Sequence, residues 1–310
     1  MKKYVFVFLI LTLTAGAFAQ KSDNSGKYVS KFWGEPPNND WGAGVVSVAS
    51  DRKQSVLVLR RVDPPILVFN QEGKLQRSWG NGMFSRAHSI DVDRFGFVWA
   101  TDAMQNVVYK FSMDGKLLMT LGKKGVAGDN NSQDAFNGPN DVAVAANGDI
   151  FVSDGDRNYR VVKFNKDGKF IKIIGGIKGS KPGQFGEAQT TSQPAEGLVH
   201  GVAFDSKGRL FVIESYNPRI QVFDQEGKFI EQWTNLPFKK ACGLYIAPDD
   251  TIYISDTDAE AIHIVKNGKV VESIPDKGSR PHNIDGDQTG LYTADNSNKT
   301  AKKLVKVRSE

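Results

Sequence analysis

Histidine is scarce in this chain: 310 residues contain four, His88, His200, His263 and His282. Neutral imidazole is the commonest metal-binding side chain. Three imidazoles converging without a fourth protein ligand form the donor set of a catalytic zinc site, which keeps one position open for water or substrate. Ligand type alone favours zinc only weakly over copper, nickel or iron. Taken singly, each histidine reads more simply as a side chain hydrogen-bonded near a turn. The choice depends on whether the fold brings three of them to one point.

The elements that would do so are written as a repeat. One phrase recurs: an apolar strand ending in Phe, an acidic-Gly-Lys turn, then a second short strand. It reads ILVFNQEGKLQRSWG (66–80), VYKFSMDGKLLMTLG (108–122), VVKFNKDGKFIKIIG (161–175) and IQVFDQEGKFIEQWT (220–234), with a weaker copy at 262–276. Period-two alternation and glycine after an acidic or amide residue are the marks of a hairpin. Another strand pair precedes each phrase, as in HSIDVDRFGFVWATD (88–102), NDVAVAANGDIFVSD (140–154), HGVAFDSKGRLFVIE (200–214), CGLYIAPDDTIYISD (242–256) and HNIDGDQTGLYTAD (282–295). Four short strands per unit, at a period in the forties, predict a propeller blade.

The expected fold is therefore all-β, a six-bladed β-propeller over residues 20–310, with 44–80 as a degenerate first blade. The last blade has three strands before the chain stops, and GKYVSKFWG (26–34) supplies the missing outer strand. An N-terminal strand completing the last blade closes the ring and removes its broken edge. A pair of β-sandwiches would explain neither the repeat nor the orphan strand.

Aligned by their first strands, the six blades place Gly44, His88, Asn140, His200, Cys242 and His282 at one position, opening the strand that lines the channel. Histidine occupies every second blade, so the three imidazoles are related by about a third of a turn and point at the axis. His88, His200 and His282 are thus the expected metal ligands. His263 falls out of register on a third strand and has no expected chemistry.

The opening residues, MKKYVFVFLILTLTAGAFAQ, carry a short positive start, an apolar run and a small-x-small ending at Ala17-Phe18-Ala19. That is a signal-peptide pattern over 1–19, with an apolar stretch too short for a comfortable membrane span. The expected product is a soluble, monomeric bacterial protein, secreted or periplasmic. Without Lys2 and Lys3 the formal charge of +5 falls to +3. The remaining charges are interleaved, a solubilising pattern rather than a nucleic-acid-binding one. Cys242 stands alone and cannot form an internal disulfide. No glycine-rich phosphate loop or nucleophile elbow is present.

The phrases resemble the NHL repeat, and Lys181-Pro182-Gly183-Gln184-Phe185 resembles a linker common in it. More narrowly, the x-His openings at 87–88, 199–200 and 281–282, with Asn140-Asp141-Val142 and Ser153-Asp154-Gly155 between them, resemble peptidyl-α-hydroxyglycine α-amidating lyase. The resemblance implies a six-bladed propeller with a three-histidine zinc site and a nearby structural calcium. It implies cleavage of a carbinolamide, R-CO-NH-CH(OH)-COO⁻, to an amide and glyoxylate.

Carried over residue by residue, the zinc histidines are His88, His200 and His282. The family's active-site arginine falls on Arg61 in LRRVDPPILVF, with Arg60 the next choice. Where the family has a catalytic tyrosine this chain has Asp156, a carboxylate able to act as base. The family's second arginine falls on Ser215. The calcium-ligating aspartate becomes Asn283, which offers a carbonyl oxygen without the charge. Tyr159 and Tyr216 are nearby substitutes for the tyrosine, though packing is the simpler role for both.

Asp102, Asp154, Glu214, Asp256 and Asp295 end the second strand in five blades, a repetition that predicts a structural hydrogen bond rather than a carboxylate site. The insertions 123–138 and 176–195 are rich in polar residues and glycine, and their face is not legible. The leading reading is a zinc-dependent lyase acting on a carboxylate-bearing small molecule or peptide. The alternatives are a non-catalytic propeller, binding a peptide or glycan around an axial structural metal, and a calcium-dependent lactonase, which the histidines disfavour.

Overall fold

The repeated phrase folds by the same local device in blades 1, 3 and 4. In the turn, the first side chain accepts the N–H of the lysine four residues on: Asn70 from Lys74, Asn165 from Lys169 and Asp224 from Lys228, each at 2.8 Å. The glycine before that lysine takes a left-handed conformation, φ 88° at Gly73 and 90° at Gly115, which a side chain would disfavour. At Gly115 a Cβ would also lie 2.7 Å from the Trp79 indole of the preceding blade. The turn residue is therefore selected twice, by backbone and by packing.

In a computed structural model, described over residues 28–187 and 199–307, these hairpins pair into six four-stranded antiparallel sheets. Blade 1 holds β2 (Val45–Ser50), β3 (Ser55–Arg60), β4 (Ile66–Asn70) and β5 (Leu75–Trp79). Blade 2 holds β6 (Ala87–Val92), β7 (Val98–Asp102), β8 (Val107–Phe111) and β9 (Leu117–Leu121). Blade 3 holds β10 (Pro139–Val144), β11 (Ile150–Asp154), β12 (Arg160–Phe164) and β13 (Phe170–Gly175). A short parallel pair, β14 (Lys178–Gly179) and β15 (Phe185–Gly186), lies in the following insertion.

Blade 4 holds β16 (Val199–Phe204), β17 (Leu210–Glu214), β18 (Asn217–Phe223) and β19 (Phe229–Trp233). Blade 5 holds β20 (Ala241–Ile246), β21 (Ile252–Asp256), β22 (Ala261–Lys266) and β23 (Lys269–Pro275). Blade 6 holds β24 (Pro281–Asp287), β25 (Gly290–Asp295) and β26 (Thr300–Lys306), and its outer strand is β1 (Tyr28–Phe32). β1 runs antiparallel to β26, Tyr28 opposite Lys306 and Phe32 opposite Lys302. The expected signal segment 1–19 lies outside the described residues.

The core is divided among the seams between blades. Six buried apolar clusters occur among the described residues, each shared by two neighbouring blades. The seam between blades 6 and 1 is sealed from the N-terminal segment. Trp33 packs its indole edge-on against Phe69 of blade 1 and Tyr292 of blade 6, at centroid distances of 5.5 and 5.0 Å. Burying one large apolar side chain is worth about 1.5–3 kcal/mol, so this residue contributes to closure beyond the hydrogen bonds of β1.

Strand direction assigns the faces. The inner strand of each blade starts where the second ends and the third starts, and the fourth returns to the same side. The connections between blades, including the described parts of insertions 123–138 and 176–195, therefore share the face on which the inner strands begin. Each insertion is tied down there by a buried arginine. Arg160 donates to the carbonyls of Ser132 and Ala135 while paired with Asp154, and Arg219 donates to those of Ser180 and Gln184 while paired with Glu214.

Candidate metal centre

The second residue of each inner strand departs from regular pairing. The ladder between first and second strands skips that position in all six blades, with breaks at 45/47, 87/90, 139/141, 199/202, 241/243 and 281/283. Such bulges re-aim a side chain and recur next to active sites. The residues skipped at that position are Val46, His88, Asn140, His200, Cys242 and His282, with Ser89 and Gly201 skipped beside them in blades 2 and 4. The first-blade equivalent is thus Val46, two residues after the Gly44 expected from the strand phrases. Blade 1 lacks the histidine that marks the register in blades 2, 4 and 6.

Alternation around this ring produces a three-fold pattern. Nδ1 of His88 lies 2.9 Å from the Asn140 carbonyl, that of His200 2.7 Å from the Cys242 carbonyl, and that of His282 2.8 Å from the Val46 carbonyl. Each histidine is bonded to the skipped residue of the next blade. A carbonyl only accepts, so each Nδ1 carries the proton and each Nε2 is left as a lone-pair donor. Ring centroids stand 4.9, 5.1 and 5.2 Å apart, and one donor atom from each ring lies within 4.8 Å of the others.

Burial first, then the mutual repulsion of the rings, holds His88 well below the ordinary histidine value. Burial and the charge of His282 do the same at His200, and burial brings His282 to about 4. Three neutral, oriented imidazoles with fixed tautomers are what a divalent transition metal requires. Among the described residues this is the one group of three or more His, Cys, Asp or Glu at metal-holding distances. The residues fit the expected zinc ion.

For the implied calcium, Asn283 Oδ1 already accepts the Val48 N–H at 3.1 Å, which leaves one lone pair of a neutral oxygen. The neighbouring seam is joined by the Ser47 hydroxyl, which accepts the Ile90 N–H at 3.0 Å. Direct hydrogen bonds thus join blades 6, 1 and 2 near the axis.

Around the triad stand the charged residues of the same face. Arg60 is turned away, its guanidinium donating to the carbonyls of Pro64, Asp40 and Asp63, and is a turn cap. Arg61 donates Nε to the Ala87 carbonyl at 3.1 Å, beside His88, and its charge lowers the pKa of both His88 and His282. Asp156 meets Arg86 Nη1 at 3.4 Å and the Asn140 side chain. Burial raises the Asp156 carboxyl, against the opposing charges of Arg86, Arg157 and Arg61. The structure therefore brings Arg61 and Asp156 together at the triad, with Arg86 as a third member that sequence reasoning missed. Its signal was positional, two residues before a ring histidine.

Ser215 brings no cation. It is buried, its hydroxyl 3.8 Å from Cys242 Sγ. Tyr159 packs into the seam between blades 3 and 4, while Tyr216 lies beneath Lys240, whose ammonium is 5.2 Å from its ring centre. His263 bonds Ser273 and stacks on Phe238, away from the axis. The acidic strand ends are structural: Asp102 accepts the N–H groups of Ser85 and Arg86, Asp256 those of Lys239 and Lys240, and Asp295 that of Arg280.

The opposite mouth of the channel holds a cavity of about 510 Å³ bordered by Arg52, Asp91, Asp141, Tyr245 and Asp285. Burial pushes Asp91 and Asp141 up to about 7.

The family model for the NHL repeat matches residues 136–164. The human NHL repeat-containing protein 3 is 31% identical over 185 residues, covering 56% of this chain and 49% of its own length. A probable peptidyl-α-hydroxyglycine α-amidating lyase of Caenorhabditis elegans is 33% identical over 161 residues, covering 51% of this chain and 42% of its own. The chain thus spans about half or less of the length of these curated relatives. Among solved structures, a gluconolactonase of Xanthomonas campestris superposes with a TM-score of 0.67 at 15% identity, covering 91% of each chain, a likeness of fold alone. The resemblance to NHL propellers and to amidating lyases, expected from the repeats and the histidine openings, is borne out by these relatives.

Proposed function

We propose that the chain is a zinc-dependent lyase of the amidating type, acting outside the cytoplasm on a carbinolamide bearing a carboxylate. The observation that carries the reading is the three-fold arrangement of His88, His200 and His282, each locked by the next blade, with Arg61 and Asp156 beside it. Relatives named as amidating lyases support the same class.

His88, His200 and His282 would hold the zinc through Nε2. When bound, zinc supplies Lewis acidity that lowers the pKa of a nearby hydroxyl. The chain's own residues do the rest. Arg61, with Nε committed to the Ala87 carbonyl, offers its terminal nitrogens to the substrate carboxylate, a planar donor for a planar acceptor. Asp156, whose carboxyl burial raises while Arg86, Arg157 and Arg61 oppose the shift, takes the carbinol hydroxyl proton. As the C–N bond breaks, its electron pair stays on nitrogen and the new C=O forms from the oxygen. Asp156 then returns the proton to nitrogen, so one carbinolamide gives one amide and one glyoxylate with nothing else consumed.

A second reading, a binding propeller with an axial structural metal, is favoured by one observation: Ser215 buries a small hydroxyl against Cys242, where the resemblance to the lyases implies an arginine. The test is glyoxylate release from a minimal N-acyl-α-hydroxyglycine, using zinc-loaded protein against a chelator-treated control. Chelator-sensitive release supports the lyase. Absence of release from protein shown to hold one zinc per chain rejects it in favour of the binding reading.

A further inference from the structure

Two cations on the metal face occupy matching places in opposite blades. Arg86 and Lys240 each stand two residues before the skipped position, His88 in blade 2 and Cys242 in blade 5. In a ring of six, blades 2 and 5 face each other across the axis. Each cation has its backbone pinned by the acid ending its own blade's second strand: Asp102 for Arg86, at 3.2 Å, and Asp256 for Lys240, at 2.9 Å. The matching position in blade 6 is Arg280, but its guanidinium is spent on Asp258 at 2.5 Å.

The two sides differ in what already balances them. On the blade 1–2 side, Arg61 and Arg86 share Asp156. On the blade 5 side, Lys240 forms no ion pair among the described residues; it leans on the Tyr216 ring at 5.2 Å and bonds its hydroxyl, and the nearby charge of Asp258 is paired with Arg280. A half-buried ammonium resting on an aromatic ring, with its charge reaching His200 and His282, is positioned to accept an anion beside the triad.

We propose that Lys240 and Tyr216 form a second anion subsite across the triad from Arg61 and Arg86, so that the preferred ligand carries negative charge at both ends. The proposal rests on the lyase reading for its substrate class, an α-hydroxyglycine whose acyl group ends in a second carboxylate. Its anion preference is independent of turnover. Arg61 takes the carboxylate next to the reacting carbon, and Lys240 takes the distal one, with Tyr216 limiting the swing of the ammonium.

The experiment is calorimetric binding to zinc-loaded full-length protein. The α,ω-diacids from succinate to suberate are each compared with the monoacid of the same chain length. One diacid length is expected to bind roughly ten-fold tighter than its monoacid, the effect of one added charge-assisted contact. That advantage is expected to vanish in Lys240→Met, to survive in Lys240→Arg, and to weaken in Tyr216→Phe. Arg61→Ala is expected to weaken mono- and diacids alike. Equal affinity for both acids at every length, or an unchanged diacid advantage in Lys240→Met, overturns the proposal. A diacid advantage lost in Lys240→Met, in protein that releases no glyoxylate, keeps the subsite while rejecting the lyase.

Discussion

Nδ1 of His282, in the last blade, lies 2.8 Å from the carbonyl oxygen of Val46, in the first, 236 residues earlier in the chain. The same bond that fixes a metal-facing imidazole spans the seam where the ring closes. Closure and site assembly are therefore one event: until the last blade meets the first, the third histidine has neither its orientation nor its neighbours.

Removing one imidazole should abolish metal binding while sparing the fold, because six separate seam clusters hold the blades. His200→Ala is expected to lower zinc from one per chain to background, with an unchanged far-ultraviolet dichroism spectrum. Full zinc content in that variant, measured by elemental analysis, would refute the triad as the ligand set.

Arg61 lies beside the triad but bonds only a backbone carbonyl among the described residues. Arg61→Ala should cost about 2 kcal/mol of carboxylate binding, roughly 30-fold in kcat/KM or in carboxylate affinity, with zinc content unchanged. Loss of zinc or of folding would instead make Arg61 structural.

Calcium should not matter to stability, since Asn283 Oδ1 already accepts the hydrogen bond of the Val48 N–H. A calcium-selective chelator is expected to leave the melting temperature where it is. Asn283→Ala, which orphans the buried Val48 N–H, should cost about 1–3 kcal/mol. A large chelator-induced fall in Tm would show that the ring uses the ion after all.

Asp295 is fully buried. Burial raises its pKa, but the Arg280 N–H and the side chains of Asn298, Ser297 and Lys302 outweigh that and hold the carboxyl well below its ordinary range. The folded value lies below the unfolded value of about 3.9. Its contribution is therefore complete above that pH and is lost as pH falls below about 4. Asp295→Asn should destabilise by about 2 kcal/mol at pH 7, with the gap to wild type narrowing at pH 3. A gap of constant size across denaturant titrations at pH 7, 5 and 3 would remove the charge from the explanation.

Trp33 sits over the closing seam, buried between Phe69 and Tyr292. Trp33→Ala should cost about 3–5 kcal/mol and speed unfolding, since an opened seam exposes β26 as an edge. A change below 1 kcal/mol, read from denaturant midpoints, would confine the clasp to the hydrogen bonds of β1.

The repeat made most of the architecture legible before any coordinates. Period-two alternation, the Asn or Asp turn caps and the glycines before lysine are local signals, and each blade restates them. Their spacing also brought His88, His200 and His282 to one register, and the five acidic strand ends to another. Blade 1 was misaligned by two residues because Val46 has no chemical mark that separates it from Gly44; only the bulge at 45/47 identifies it. The face of the insertions, the split between Arg60 as turn cap and Arg61 beside the triad, and the partnership of Arg86 with Asp156 belong to tertiary structure. They depend on which side chains meet across blades 26 to 236 residues apart, and no local pattern carries that distance. Sequence alone determined a ring with three imidazoles on its axis; the closed ring decided which nitrogen each presents and which charges surround them.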